Sequence, residues 1–463
     1  MTGPTGTELA GDQALRDLVG VALDALAEGV LKRGGPLPAG GPTAVRPPLA
    51  KEGVGPVDAL VELTRFLAHG SADPAHPACT AHLHCPPLAV AAVADLVASA
   101  LNPSMDSWDQ APAASAIEEQ LCHDLARLCY PTAESPDAVI TTGGTESTLY
   151  GLLLARENVG RVQPVCGRNA HHSVARAAWV LGLPQPIPVD CDADRMSPAA
   201  LAETLAAIEG PAAVVATAGT TNTGAIDPLP EIAALRPAWL HVDAAYGGGL
   251  LFSRRQTLLA GMDQADSIGL DLHKFGWQPI AAGVFAAKSA RTLHALDVRA
   301  DYLNAADDAE AGLPDLLSRS LRTSRRPDAF KIAVTLRALG RDGIGALVDH
   351  CCDTATAVAV AVRAHPRLRL WCEPTLSTIL LRPLVADQVE TELGLDAGND
   401  VVAAVRRDLL EDGTAVLGRA TLAPSTSDGW DGRDRLWLKL TLLHPHVTVA
   451  DYAPVLDLIA GRC

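Results

Sequence analysis

Apolar and polar positions change rhythm several times along the 463-residue chain. Residues 12–31 repeat at helical spacing and predict a helix. The tract that follows, residues 34–56 (GGPLPAGGPTAVRPPLAKEGVGP), is dense in Gly and Pro and follows neither the helical nor the strand period, so it reads as a linker or extended arm. Between residues 57 and 128 the spacing is mostly helical again, interrupted by the turn His84-Cys85-Pro86-Pro87 and by a polar loop over 102–112. From residue 137 to 288 short apolar or β-branched runs alternate with helical segments. Strands are expected at 138–141, 186–190, 213–218, 239–243, 267–272 and 283–287. Such alternation predicts an α/β fold with a mainly parallel sheet covered on both faces, whose ligands bind beyond the carboxyl ends of the strands. The last part differs: helices over 328–339 and 345–364 precede strands at 368–372, 378–382 and 436–443, which suggests a smaller α+β domain.

Composition narrows the function classes. With 48% hydrophobic residues the chain can bury a sizeable core, and 37 Lys+Arg against 54 Asp+Glu give a net charge of −17. That acidity, with no long basic run, argues against a nucleic-acid partner and favours a small-molecule substrate. The first residues, MTGPTGTELAGDQALRDLVG, lack the features of a secretory signal, so a cytoplasmic protein is expected. The apolar stretch 88–101 is broken by Asp95 and is shorter than the ~20 residues of a bilayer crossing, so no membrane span is expected. The ten cysteines form no CxxC pair, which suggests reduced thiols and no metal site.

Several strand ends carry polar residues where the sheet rule places a ligand. Thr141-Thr142-Gly143-Gly144-Thr145-Glu146-Ser147 runs from a strand through glycines and hydroxyls into a helix, the pattern of an anion cradle; an ordinary capped turn has the same pattern. In His241-Val242-Asp243-Ala244-Ala245-Tyr246, followed by three glycines, an acid ends a buried strand next to small residues; a satisfied turn Asp is the alternative. Lys274, in Asp271-Leu272-His273-Lys274-Phe275, leaves a buried strand, where an amine is costly unless it is paired or used covalently; a snorkelling lysine is the alternative. Of the neighbours His171 and His172, at most one faces a given pocket, and both could be surface groups. Together, a phosphate cradle, a buried carboxylate, an imidazole and a desolvated lysine fit a phosphorylated aromatic aldehyde, pyridoxal 5′-phosphate.

The ordered set Gly-Gly-Thr-Glu-Ser, Ala170-His171, Gly219-Thr220-Thr221, His241-Val242-Asp243-Ala244-Ala245-Tyr246 and His273-Lys274 resembles the group II pyridoxal-phosphate-dependent amino acid decarboxylases of fold type I. The resemblance implies a seven-stranded, mainly parallel sheet. It also implies an N-terminal helical arm and dimerisation segment (1–110), a large cofactor domain (111–345) and a small C-terminal domain (346–463). By the same resemblance Lys274 holds the cofactor, Asp243 pairs with its pyridine nitrogen, and His171 and Ala245 lie on its two ring faces. Gly144, Thr145 and His273 contact the phosphate, Thr221 lies near the ring oxygen, and Ser324 contacts the phosphate of a neighbouring subunit's site.

Tyr302, on a loop leading into an acidic stretch, matches the tyrosine that protonates the quinonoid carbon formed from the external aldimine after CO₂ leaves; a surface tyrosine is the alternative. His84 and Cys85, with the loop that carries Asp106, Trp108 and Asp109, resemble the substrate entrance of the 2,4-diaminobutyrate and siderophore-pathway lysine decarboxylases. Acids there suit a substrate with a distal ammonium, such as lysine, ornithine or 2,4-diaminobutyrate; an Asp in such a loop equally serves as a cap. Aromatic or acidic substrates, oxygen-dependent oxidative deamination and a catalytically silent partner-binding subunit are the other readings. Two departures stand out: Asp271 replaces an amide that the aromatic decarboxylases carry near the phosphate, and His172 replaces a small residue. The expected partners are an amino acid and a second copy of the chain.

Overall fold

The alternation of strands and helices closes into one large sheet. The computed structural model describes residues 9–49, 52–297, 307, 310–313, 316–423 and 432–462. In chain order the strands of the central region are β1 (Asp137–Thr141), β2 (Gln163–Gly167), β3 (Ile187–Val189), the short β4 (Cys191–Asp192) and β5 (Arg195–Met196), β6 (Ala212–Thr217), β7 (Trp239–Ala244), β8 (Ser267–Asp271) and β9 (Gly283–Ala287). Seven of them form a sheet in the order β1-β9-β8-β7-β6-β2-β3. Neighbours are parallel except around β9, which runs antiparallel to both β1 and β8.

Every residue of β6 (AAVVAT) and β7 (WLHVDA) is buried, as expected for central strands covered on two faces. β2 has the sequence QPVCG, whose Pro and Gly hide the β pattern, and the expected strands did not include it. Register does the positioning: Thr217 pairs with Asp243, and Asp243 with Gly269, so the carboxyl ends of β6, β7 and β8 arrive along one edge. The helix Gly144–Val159 leaves β1 at that edge and packs Tyr150, Leu152, Leu154 and Ala155 into the core against Val215, Trp239 and Phe285.

Two units make up the chain. One comprises Met1–Pro86, Thr356–Glu373 and Ile379–Cys463; the other comprises Pro87–Ala355 and Pro374–Thr378 and carries the large sheet. These limits differ from boundaries at 110 and 345. The helix Ala89–Leu101 belongs with the large sheet because the Leu88 N–H donates to the Trp277 carbonyl (2.9 Å) and Asp95 takes the Lys331 ammonium (3.1 Å). The segment Ala329–Ala364 is helical on both sides of Gly340, whose φ of 67° breaks it, in line with two successive helices. Its length and apolarity would suit a membrane crossing, but 56% of its most apolar window is buried in the protein, as in a core helix.

In the first unit the helices Asp12–Arg33 and Pro56–Gly70 cross closely: a Cβ on Gly29 would stand 2.6 Å from that of Ala68. A four-stranded sheet there runs β10 (Leu368–Leu370), β11 (Thr378–Pro383), β13 (Arg435–Thr441), β12 (Gly418–Leu422). The buried Arg382 guanidinium is matched by Asp387, Glu390, Asn399 and the Leu436 carbonyl, so its charge is compensated.

Candidate active site

Three chain turns at one sheet edge build the floor of the site. Gly143, with φ 148°, passes so close to the end of β8 that an added Cβ would lie 2.7 Å from His273 Cε1; one on Gly144 would lie 2.7 Å from Ala245 Cβ. Glycine is therefore required by close approach, and the first N–H groups of the helix Gly144–Val159 open toward this edge. Glu146 takes the Thr142 N–H (2.5 Å), and Thr141 and Ser147 share a 2.8 Å hydrogen bond that fixes the turn. Thr145 is exposed at the helix start.

Asp243, at the end of β7, is 7% exposed and accepts the Ala245 N–H at 3.0 Å. Burial pushes its carboxyl upward, opposed by the Lys274 ammonium and the Ala245 N–H. Such a group gains most from a cationic ring nitrogen. His171 precedes the helix Ser173–Val180, and its Nδ1 accepts the Ser173 N–H (3.3 Å). Burial, then His172 and Lys274, lower its pKa to about 4, so the ring is neutral at pH 7. His172 packs beside it at 4.0 Å between ring centroids, with the rings tilted by 50°.

Sequence reading missed what anchors this turn. Asn169 donates to Asp227 (2.9 Å) and to the Asp194 carbonyl (2.8 Å), while Thr220 and Thr223 both donate to the Asp194 carboxylate at 2.6 Å. Thr221 follows Thr220 in this braced turn and is half-buried. The only signal was the polarity of residues next to motifs already singled out.

Lys274 and His273 leave β8 through a turn governed by Asp271. The Asp271 carboxylate lies 3.1 Å from Lys274 Nζ and 3.3 Å from His273 Nε2. Burial alone would raise its pKa, but the Lys274 and His273 interactions hold it below the usual carboxylate value. The acid in place of an amide is thus neutralised by its own turn. Gly143, Gly144, His171, Asp243, Ala245, His273 and Lys274 therefore gather at one edge. They fit pyridoxal phosphate: an N-terminal helix turn for the phosphate, a buried acid for the ring nitrogen, a neutral imidazole for a ring face and an amine for the aldehyde.

The other expected residues are described by their own local partners. In the loop before the helix Pro112–Cys129, Gln110 Nε2 donates to Asp106 (2.7 Å), Ser107 Oγ to Asp109 (2.6 Å), and Ser324 Oγ to Asp106 (3.3 Å). Next to Ser324, Arg325 makes a buried bidentate pair with Glu118 at 2.7 and 2.5 Å. Trp108 is half-buried and Asp109 exposed. His84 and Cys85 fall in the first unit, where Cys85 is buried and burial lowers the His84 pKa. Tyr302 lies outside the described residues.

Residues 56–383 match the model of the pyridoxal-dependent decarboxylase conserved domain. The chain is 41% identical over 427 residues to an L-2,4-diaminobutyrate decarboxylase of Rhizobium meliloti (strain 1021), an alignment spanning 89% of this chain and 83% of that protein. An L-2,4-diaminobutyrate decarboxylase of Acinetobacter baumannii is 35% identical over 86% of this chain and 82% of that one. Among solved structures, the glutamate decarboxylase domain of diaminobutyrate-pyruvate transaminase and L-2,4-diaminobutyrate decarboxylase from Vibrio parahaemolyticus superposes with a TM-score of 0.81 at 29% identity, covering 100% of this chain and 97% of that one. With the lysine, the buried acid and the glycine turn in place, the chain belongs to the pyridoxal-dependent decarboxylase family and is a pyridoxal-phosphate-dependent amino acid decarboxylase.

Proposed function

We propose that the enzyme removes the α-carboxylate of L-2,4-diaminobutyrate, a short basic diamino acid, releasing the diamine and CO₂. The observation that carries this reading is the 41% identity to the Rhizobium meliloti protein over 89% of the chain. Lysine and ornithine, with longer side chains and the same distal ammonium, are the nearest alternatives.

The cofactor, when bound, supplies a conjugated ring that accepts the electron pair left by departing CO₂. The chain's residues do the rest. Lys274 presents its amine, and the Asp243 carboxylate keeps the ring nitrogen protonated. The neutral His171 ring would lie against a face of the cofactor ring, where an imidazolium would repel a protonated ring nitrogen. The Gly143-Gly144 turn, the helix N-terminus and His273 hold the phosphate. Tyr302 delivers the proton that replaces CO₂ at the substrate α-carbon. Asp106 or Asp109 receives the distal ammonium, which a carboxylate there attracts while repelling an acidic side chain.

The working form is proposed to be a homodimer. The helix Ala89–Leu101 leaves Val90, Val93, Leu96, Val97 and Leu101 exposed, an apolar face suited to a second copy of the chain. Sedimentation of the active enzyme checks this: a fully active monomer at dilution defeats it. For the substrate, purified protein is offered a panel of basic, acidic and aromatic amino acids while CO₂, amine, aldehyde, ammonia and peroxide are measured. Diamine and CO₂ from diaminobutyrate with the highest kcat/KM is the expected result. Preferred turnover of another amino acid, or aldehyde with ammonia and peroxide, overturns the proposal.

A further inference from the structure

Asp271 has two carboxylate oxygens in different situations. Oδ2 faces Lys274 Nζ at 3.1 Å and His273 Nε2 at 3.3 Å. Among the described residues Oδ1 is buried without a hydrogen-bond partner, and it points at the glycine turn, 3.2 Å from where a Cβ on Gly143 would stand. The residue is only 5% exposed, so water does little to screen its charge, and its field acts on whatever cations adjoin it. Aromatic relatives are expected to carry an amide here, so the acid costs desolvation that an amide would not. Its partner Lys274 is the amine that must join the cofactor.

We propose that Asp271 is a positioning residue that holds the Lys274 amine as an ammonium whenever that amine is not joined to the cofactor. An ammonium has no lone pair, so joining begins with loss of one proton from the pair to solvent. The neutral amine then forms a C–N bond to the aldehyde carbon and one water leaves. When a substrate amine takes over that carbon, the C–N bond to Lys274 breaks, a C–N bond to the substrate forms, and Lys274 takes up a proton and docks on Asp271. Docking disfavours its return, so the carboxylate favours the substrate-bound arrangement over the lysine-bound one. The other groups that face the pair are His273 on the same turn, Asp243 at the end of β7, and His171 with its neighbours His172 and Arg176. Asp271 adjoins both the amine and the glycine turn. This inference uses the cofactor assignment and is independent of which amino acid is decarboxylated.

The test is capture of pyridoxal phosphate by the full-length apoprotein, followed by absorbance as a function of pH, for the wild type and for Asp271→Asn, Asp271→Ser and Asp271→Glu. Loss of the carboxylate in the Asn and Ser variants is expected to move the midpoint of the rising rate to lower pH by about one unit or more, with capture about fivefold or more faster at neutral pH. KM for the amino acid is expected to rise more than kcat falls, and Asp271→Glu to keep the wild-type midpoint. Inorganic phosphate is expected to compete with capture at least as well in Asp271→Asn as in the wild type, because the unpartnered oxygen no longer repels it. An unchanged or raised midpoint overturns the inference, as does slower capture at every pH together with weaker phosphate competition, the mark of a merely architectural side chain. Wild-type protein that captures the cofactor yet decarboxylates none of the diamino acids would sink the substrate reading and leave this one standing.

Discussion

The floor of the site and the 102–110 loop both gather carboxylates and hydroxyls, yet they use them in opposite ways. In the loop, Asp106 and Asp109 take bonds from Gln110, Ser107 and Ser324, so each acid is satisfied within its own chain. On the floor, Asp271 Oδ1 has no partner among the described residues, and Asp243 shows one backbone hydrogen bond while buried. A polar group kept from water with bonding capacity unspent costs stability unless something else compensates it. That difference leaves the unspent bonding capacity on the floor, while a ligand ammonium at the loop has to exchange for bonds already made.

The comparison breaks or sharpens under substitution. The largest effect belongs to the floor: Lys274→Ala is expected to cost at least about a thousandfold in kcat and to abolish the borohydride-reducible adduct. A yellow, reducible Lys274→Ala protein would move the covalent role elsewhere. Asp243→Asn comes next, with a loss of about a hundredfold in kcat/KM and weaker cofactor retention, read by dialysis and absorbance. An effect under threefold would show that burial of this acid serves folding alone.

Turning to the loop, Asp106→Asn is expected to raise KM for diaminobutyrate about tenfold with kcat nearly kept, and Asp109→Asn to change it less than threefold. Equal and small effects on both would leave the loop purely structural. Smallest is a pH effect on stability. Burial lowers His241 to about 3 and His171 to about 4, against 6.5 for an ordinary histidine. Both stay neutral in the fold while the unfolded chain takes up protons below about pH 6.5, so their contribution is complete above that pH and is lost as pH falls toward 4 and then 3. Thermal midpoints should decline over that window, and His241→Phe, next to Phe285, should flatten the decline.

Much of this was legible because β strands that end in Gly-Gly, Asp or His-Lys announce themselves in any register. The strands at 138–141, 213–218, 239–243 and 283–287 lie within a residue of β1, β6, β7 and β9. β2 escaped because QPVCG has neither alternation nor a β-branched run, and only its pairing with β6 and β3 makes it a strand. The unit boundaries escaped for a similar reason: the helix Ala89–Leu101 is tied to the large sheet by Asp95 and by the Leu88 backbone, contacts that join residues more than a hundred positions apart.

Residue identity and order by themselves pointed to the cofactor chemistry, since a glycine turn, an acid and a lysine at successive strand ends together suit one phosphorylated aldehyde. What only the tertiary structure decided is how each charge is balanced. Asp271 looked like a misplaced acid beside a phosphate until the β8 turn set it against Lys274 and His273. Asp106, expected as a substrate contact, accepts bonds from Gln110 and from the distant Ser324, a partner that its place in the sequence does not announce. Electrostatic partners are chosen by distance in space, and sequence spacing fixes that distance only within a turn or along a strand.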